Sequence, residues 1–372
     1  MSAKVAGNIF ILPAKLGASE GVQLVLDTGA PALLVRTPAA PEVKASAVTA
    51  LASASFIGLE FSALKVVGLD FFGDSVALDG LLGCTVLCDF DLGLDYRAET
   101  VTLNGARPSS GLESEVALPV MVKGGGLAQL QGVSEAVQLA PSRILLNATV
   151  EGTTQLMMVD TGAGVTVIRS ALAASLAADG RATLDTPALA MGGITHTTVM
   201  RTKSLAVGAA ALEGLPVVSG ATFDGLLDGL SQETGVTVDG LIGGAFLRSF
   251  YTSVGYVDGM LRLSRYTDQS HAVDEMRRVG IDLSTARTDP PGVRTVARVF
   301  PGSDAAAKGL EQGDRVTAID GVSVSEIHAL ALPSRLAGPS GSTHELSVEC
   351  RACAVVGGKV SVQVEDLVPL MR

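Results

Sequence analysis

The chain has 372 residues, 38 acidic against 27 basic side chains, a formal net charge of −11, and 47% hydrophobic residues. That is room for two or three domains with buried cores. The acidic balance excludes the basic stripe that a nucleic-acid partner needs, and no apolar run approaches the ~20 residues that cross a bilayer.

Taken in order, residues 1–7 lack the apolar centre of a secretory signal. Two expectations stand: the protein stays inside the cell, or its sequence starts after a removed export segment and it works in the periplasm or outside. Residues 8–12 and 21–26 read as strands joined by a Gly/Ser/Glu turn. Residues 27–30 form a turn and 32–35 another strand, and Pro38 and Pro41 break the pattern. One or two strands follow over 56–67. Residues 79–83 lead into an apolar stretch of helical spacing, and 92–94 with 100–103 make a hairpin. Residues 104–126, rich in Gly, Ser, Pro and Glu, hold a junction. Beyond it come strands at 143–150 and 155–159, an alanine-rich helix at 170–178, and a glycine-centred hairpin tip at 190–195. Strands at 199–207 and 212–218 and an amphipathic helix at 221–233, placed near a cleft, complete this part. Residues 269–278 are a polar connector to a separate module.

The first two parts are copies of one another. Val22-Gln23-Leu24-Val25-Leu26-Asp27-Thr28-Gly29-Ala30 returns as Gln155-Leu156-Met157-Met158-Val159-Asp160-Thr161-Gly162-Ala163. Each copy then runs into a second apolar stretch closed by an arginine, Arg36 or Arg169. Downstream, Asp79-Gly80-Leu81-Leu82-Gly83 answers to Asp239-Gly240-Leu241-Ile242-Gly243, and the match continues through Leu87/Leu247, Phe90/Phe250 and Tyr96/Tyr256. Repeats this long are duplicated lobes rather than solenoid units. The expected lobes are residues 1–110 and 111–265, the first trimmed between its anchors.

An aspartate ending a buried strand beside a glycine, twice over, points to a chemistry. Two carboxylates held together cannot both ionise cheaply, so one keeps a proton. The ionised member can take a proton from water while the protonated one donates to a carbonyl and later to a leaving nitrogen. Asp27 and Asp160 are the expected pair, and this chemistry requires neither cofactor nor metal. Gly29 and Gly162 let backbone N–H groups approach the carboxylates. Thr28 and Thr161 carry short hydroxyls able to bond across the two loops.

The two Asp-Thr-Gly-Ala motifs and the two hydrophobic-hydrophobic-Gly motifs, in register over most of residues 8–265, resemble the pepsin-like and retropepsin-like aspartic proteases. The resemblance implies a mainly β, bilobal acid-protease-like pair of barrels with a cleft between them. One chain supplies both aspartates, as in pepsin-like enzymes. Pro31 and Gly164 stand where the family usually carries Ser, Thr or Asp, which removes one common hydrogen bond to the carboxylate. No tyrosine falls in a flap-like segment. Met191-Gly192-Gly193-Ile194 resembles a retroviral flap tip. Residues 52–58 are lobe one's poorer match, so one flap is expected, from lobe two.

After the connector, Val279-Gly280-Ile281-Asp282-Leu283 opens a strand, and Gly309-Leu310-Glu311-Gln312-Gly313-Asp314-Arg315-Val316 leads to a turn at Asp320-Gly321. Residues 272–372 resemble a PDZ domain of the bacterial type. The resemblance implies an added-strand groove between residues 281–283 and a helix near 325–336, with Val279, Gly280 and Ile281 supplying N–H groups to a free carboxylate.

Two readings follow. The first is an aspartic endopeptidase acting on a peptide or protein substrate, whose PDZ domain takes C-terminal peptide tails to recruit substrate or to regulate. The alternative is a catalytically inactive, peptide-binding scaffold of the same fold. Competing motifs fall short. Gly162-Ala163-Gly164 lacks the third glycine of a dinucleotide turn, no histidine forms HExxH, and Asn147-Ala148-Thr149 is a sequon inside a strand. The pairs Cys84/Cys88 and Cys350/Cys353 lack the setting of a redox or zinc site and read as structural or incidental.

Overall fold

The computed structural model describes residues 2–70, 73–76, 78–128, 130, 133, 136–190, 193–349 and 358–369. The chain divides into two compact units, Met1–Phe71 with Leu78–His271, and Phe72–Ala77 with Ala272–Arg372. The fold is mainly β.

In the first unit the duplication is visible strand by strand. Ile9–Leu16 and Arg143–Val150 share one burial pattern, four buried residues followed by alternation. Such strands are covered on both faces at one end and half-exposed at the other. Each hairpins onto a motif strand, Ser19–Leu26 or Thr153–Val159. Each motif strand then pairs in parallel with a short anchor strand, Gly80–Leu82 or Gly240–Ile242. The anchors pair on their other side with Leu34–Val35 and Thr166–Ile168. A third sheet draws on both lobes, in the order Leu112–Pro119, Met260–Tyr266, Phe250–Gly255, Asp91–Asp95, Thr100–Leu103. Tyr266, Phe10, Phe246 and Phe250 are among the largest side chains sealed in the core.

The lobes differ where the first is shorter. Residues 48–56 carry a strand, Val48–Phe56, that the sequence reading passes over. It hairpins with Leu59–Gly68 and pairs with Ile9–Leu16 through Ala14 and Phe56. Its alternation is blurred by Ala and Ser, which removes the apolar period that marks a strand. The 52–58 stretch is therefore built into lobe one's own sheet. Lobe two alone has the extra hairpin Thr183–Ala190 with Gly193–Arg201. The expected helices are present as Ser170–Ala177 and Ala221–Thr234. Cys84 and Cys88 are joined by a disulfide spanning the short helix Cys84–Leu87; Cys350 and Cys353 lie outside the described residues.

The second unit packs Val279, Ile281, Val296, Val316, Ile319, Leu346 and Val362 into its own core. Asp320 and Gly321 both take positive φ, 49° and 78°, in the turn between Arg315–Ile319 and Val322–Ser323. The helix expected over 325–336 is shorter than that. A 3-10 turn, Ala329–Ala331, runs into Leu332–Arg335, with Pro333 inside the first turn. Proline lacks the N–H that a longer upstream helix would need there. Ile281–Leu283 is the end strand of its sheet. This unit also takes in a stretch from between two lobe-one strands. The carbonyls of Asp74, Ser75 and Val76 accept from Arg287 N (2.9 Å), Thr285 Oγ1 (2.7 Å) and Arg287 Nε (3.1 Å).

Candidate active site

The motif strands deliver their aspartates to one place. Each carboxyl lies against the other loop's glycine, Asp160 over Gly29 and Asp27 over Gly162, so the two acids share one buried seam. Each strand end is pinned by its anchor: Asp27 N donates to Leu82 O and Asp160 N to Ile242 O, both at 3.0 Å. The anchors' own aspartates have structural work, since Asp79 Oδ2 accepts from Gln23 N (2.9 Å) and Asp239 Oδ2 from Leu156 N (3.0 Å). Their glycines leave room for the loops. A Cβ on Gly83 would sit 2.3 Å from Ala32 O, and one on Gly243 1.8 Å from Val165 O.

Thr28 and Thr161 lock the two loops together. Thr28 N donates to Thr161 Oγ1 (3.0 Å) and Thr161 N to Thr28 Oγ1 (3.1 Å). The hydroxyls in turn donate across the seam, Thr28 Oγ1 to Val159 O (3.0 Å) and Thr161 Oγ1 to Leu26 O (2.8 Å). Both threonines are fully buried. Gly29 and Gly162 lie under the opposite carboxylate. A Cβ on Gly29 would be 2.8 Å from Asp160 Cγ, and one on Gly162 2.4 Å from Asp27 Cγ.

The pair is not symmetric. Asp27 Oδ1 accepts only the Gly29 N–H (2.7 Å) from its own loop. Asp160 Oδ1 accepts two, from Gly162 N (2.9 Å) and Ala163 N (3.1 Å). Asp27 is buried, whereas Asp160 keeps partial exposure. Burial, and then the charge of Asp160, push the Asp27 carboxyl well above the ordinary aspartate range. Burial raises Asp160 too, but two N–H donors and the bond from Asp27 pull it back. The second N–H donor makes Asp160 the better-satisfied carboxylate of the two.

Three neighbours have contacts that the sequence alone does not assign. Tyr256 Oη donates to Thr28 O at 3.4 Å, and burial raises its hydroxyl far above the usual tyrosine range. Arg143 reaches Gly29 O and pairs with Glu233. Gly164 is a glycine for a steric reason, because a Cβ there would lie 2.1 Å from Gly7 O. The repeat alignment marks Tyr256 through its partner Tyr96; nothing local marks Arg143.

Of the expected flap, Met191 and Gly192 lie outside the described residues. Gly193 has φ +116°, a conformation that favours glycine, and Ile194 is 68% exposed. The flap strand is tied to the start of the helix Ala221–Thr234 by a 2.6 Å bond between Thr195 Oγ1 and Thr222 Oγ1. His196 on the same strand is exposed.

In the second unit, the expected carboxylate loop is only partly available. Val279 N–H is engaged by Leu336 O (3.0 Å), and the side chains of Val279 and Ile281 are buried in the core. Gly280 O accepts from Phe300 N (2.9 Å), and a Cβ on Gly280 would lie 2.3 Å from Ser303 Cβ.

Fold and motif together define an aspartic-protease-like pair of lobes followed by a PDZ domain. Comparison with known proteins agrees: residues 146–246 match the family model described as aspartyl protease, and residues 271–349 match the PDZ domain model. Among solved structures, the chain is similar to an aspartic proteinase from Irpex lacteus at 14% identity and a TM-score of 0.48, covering 73% of this chain and 98% of that one. It is also similar to a retropepsin-like aspartic protease from Rickettsia conorii at 15% identity and a TM-score of 0.26, covering 41% of this chain and 91% of that one. Comparison with curated proteins gives no match. No helix among the described residues is long and apolar enough to cross a membrane.

Proposed function

We propose that the protein is an aspartic endopeptidase in which Asp160 is the base and Asp27 the acid. The observation that carries this reading is the meeting of the two carboxyls, each over the other loop's glycine, in unequal hydrogen-bond settings. Asp160, fixed by two N–H donors, takes a proton from a water seated between the pair. The resulting hydroxide oxygen bonds to the scissile carbonyl carbon as Asp27 passes its proton to the carbonyl oxygen. The tetrahedral diol then collapses: the C–N bond breaks, a diol proton returns to the dyad, and the leaving nitrogen takes the proton that Asp160 had gained. The locked threonine loops hold both carboxylates still, which favours attack by keeping the reacting atoms in place.

Both groups sit above the ordinary aspartate range, so cleavage is expected to follow a bell whose limbs belong to the pair. The PDZ domain is assigned to peptide capture along the end strand Ile281–Leu283, recruiting substrate or regulating access. The test is digestion of an unfolded casein substrate between pH 3 and 7 by wild type, Asp27→Asn and Asp160→Asn. Fragments from wild type alone support the reading. Cleavage that survives the double substitution overturns the mechanism, and a wild type that binds but never cuts makes the chain a scaffold.

A further inference from the structure

Arg143 opens the strand Arg143–Val150 of lobe two, yet its side chain reaches lobe one. Its Nη1 donates to Gly29 O. Its Nε and Nη2 donate to the two oxygens of Glu233, at 2.9 and 2.8 Å. Glu233 lies in the last turn of the helix Ala221–Thr234. One guanidinium thus joins a strand, a helix and the opposite motif loop, in the forked geometry at which arginine exceeds lysine. The Arg143 side chain is 8% exposed and that of Glu233 27%.

The other lobe has no counterpart. Ile11 faces Val25, two residues before Asp27, as Leu145 faces Met158, two residues before Asp160. Counting back two residues on each strand pairs Arg143 with Ile9, a buried aliphatic. Ile9 lies 3.8 Å from the point a Cβ on Gly164 would occupy. A duplicated site therefore has a guanidinium bonded directly to one motif loop, the one whose Gly29 N–H holds Asp27, whereas Asn8, backed by Arg248, bonds Gly164 O in the other.

We propose that Arg143, oriented by Glu233, is a positioning residue for the dyad: it fixes the Gly29 loop and places a positive charge beside the two carboxyls. This rests on the endopeptidase reading. The other groups facing the pair are Tyr256 behind Thr28 and Tyr96, which has Arg248 beside it. Neither tyrosine is charged in the working range, since burial raises both. Arg143 is the cation that acts on both aspartates.

The experiment compares Arg143→Met, Arg143→Lys and Glu233→Gln with wild type. One readout is the pH profile of kcat/KM. The other is carboxyl-carbon NMR of labelled aspartates, which needs no turnover. Arg143→Met is expected to move both limbs, and the dyad resonances, up by about one pH unit or more. Arg143→Lys should keep the profile while lowering the rate, because the charge stays and the fork is lost. Glu233→Gln should move the titration down or leave it, never up. A latch without an electrostatic role would instead weaken all three variants with unshifted limbs, or shift Glu233→Gln and Arg143→Met the same way. Either result overturns the inference. If Arg143→Met does not fold, the contrast between Arg143→Lys and Glu233→Gln in the NMR titration decides. A wild type without peptidase activity would defeat the functional reading, while the NMR titration would still judge this one.

Discussion

The threonine lock allows a sharp test, because valine has threonine's shape without its oxygen. Thr161→Val removes the acceptor of Thr28 N and the donor to Leu26 O. Both orphaned groups lie in a fully buried place, and an unsatisfied buried backbone group costs about 1–3 kcal/mol. The substitution should therefore cost about 2–6 kcal/mol, a large share of the ~5–15 kcal/mol that holds a typical domain folded. Thr161→Ser keeps the oxygen and gives up one methyl, at about 1 kcal/mol. The chain has no tryptophan and two compact units, so a single optical transition would be ambiguous. Urea-dependent hydrogen exchange on Ser19–Leu26 and Thr153–Val159 reads the relevant unit directly. The valine variant should exchange these amides at lower urea than the serine variant and lose cleavage by about 100-fold through displaced carboxylates. Equal behaviour of the two variants would refute the idea that the hydroxyl, rather than packing, joins the loops.

Further outcomes are expected. Gly162→Ala would place a Cβ 2.4 Å from Asp27 Cγ; cleavage should fall about 100-fold or more, and wild-type turnover would contradict the geometry. Asp27→Asn should stabilise the fold increasingly as pH rises. The raised Asp27 carboxyl contributes stability fully present below about 4 and lost as pH climbs through the folded value, a loss the amide does not share. Equal wild-type and variant denaturation midpoints from pH 3 to 7 would count against this. Ile194→Asp, at a 68% exposed position of the expected flap, should raise KM while leaving unfolding within about 0.5 kcal/mol; an unchanged KM would remove Ile194 from substrate contact.

Much of this molecule is legible because its signals are local. Apolar runs ending in Asp-Thr-Gly-Ala mark strands that stop at a polar loop, and their recurrence marks two lobes. Helices 170–177 and 221–234 show the composition and spacing of helices. Val48–Phe56 is hidden because its small residues blur the period, and the PDZ helix is overread because Pro333 cuts it short.

Local sequence carries the set of parts: two carboxylates, two threonines, two glycines under them, and a C-terminal module of another kind. The inequality between the halves arises in three dimensions. The second N–H on Asp160, the Arg143–Glu233 fork, and residues 74–76 bonded to Thr285 and Arg287 within the second unit all join residues remote in sequence or depend on loop geometry. A period or a motif records what a residue's near neighbours must do. Which distant charge shares its low-dielectric surroundings is settled only when the chain closes on itself.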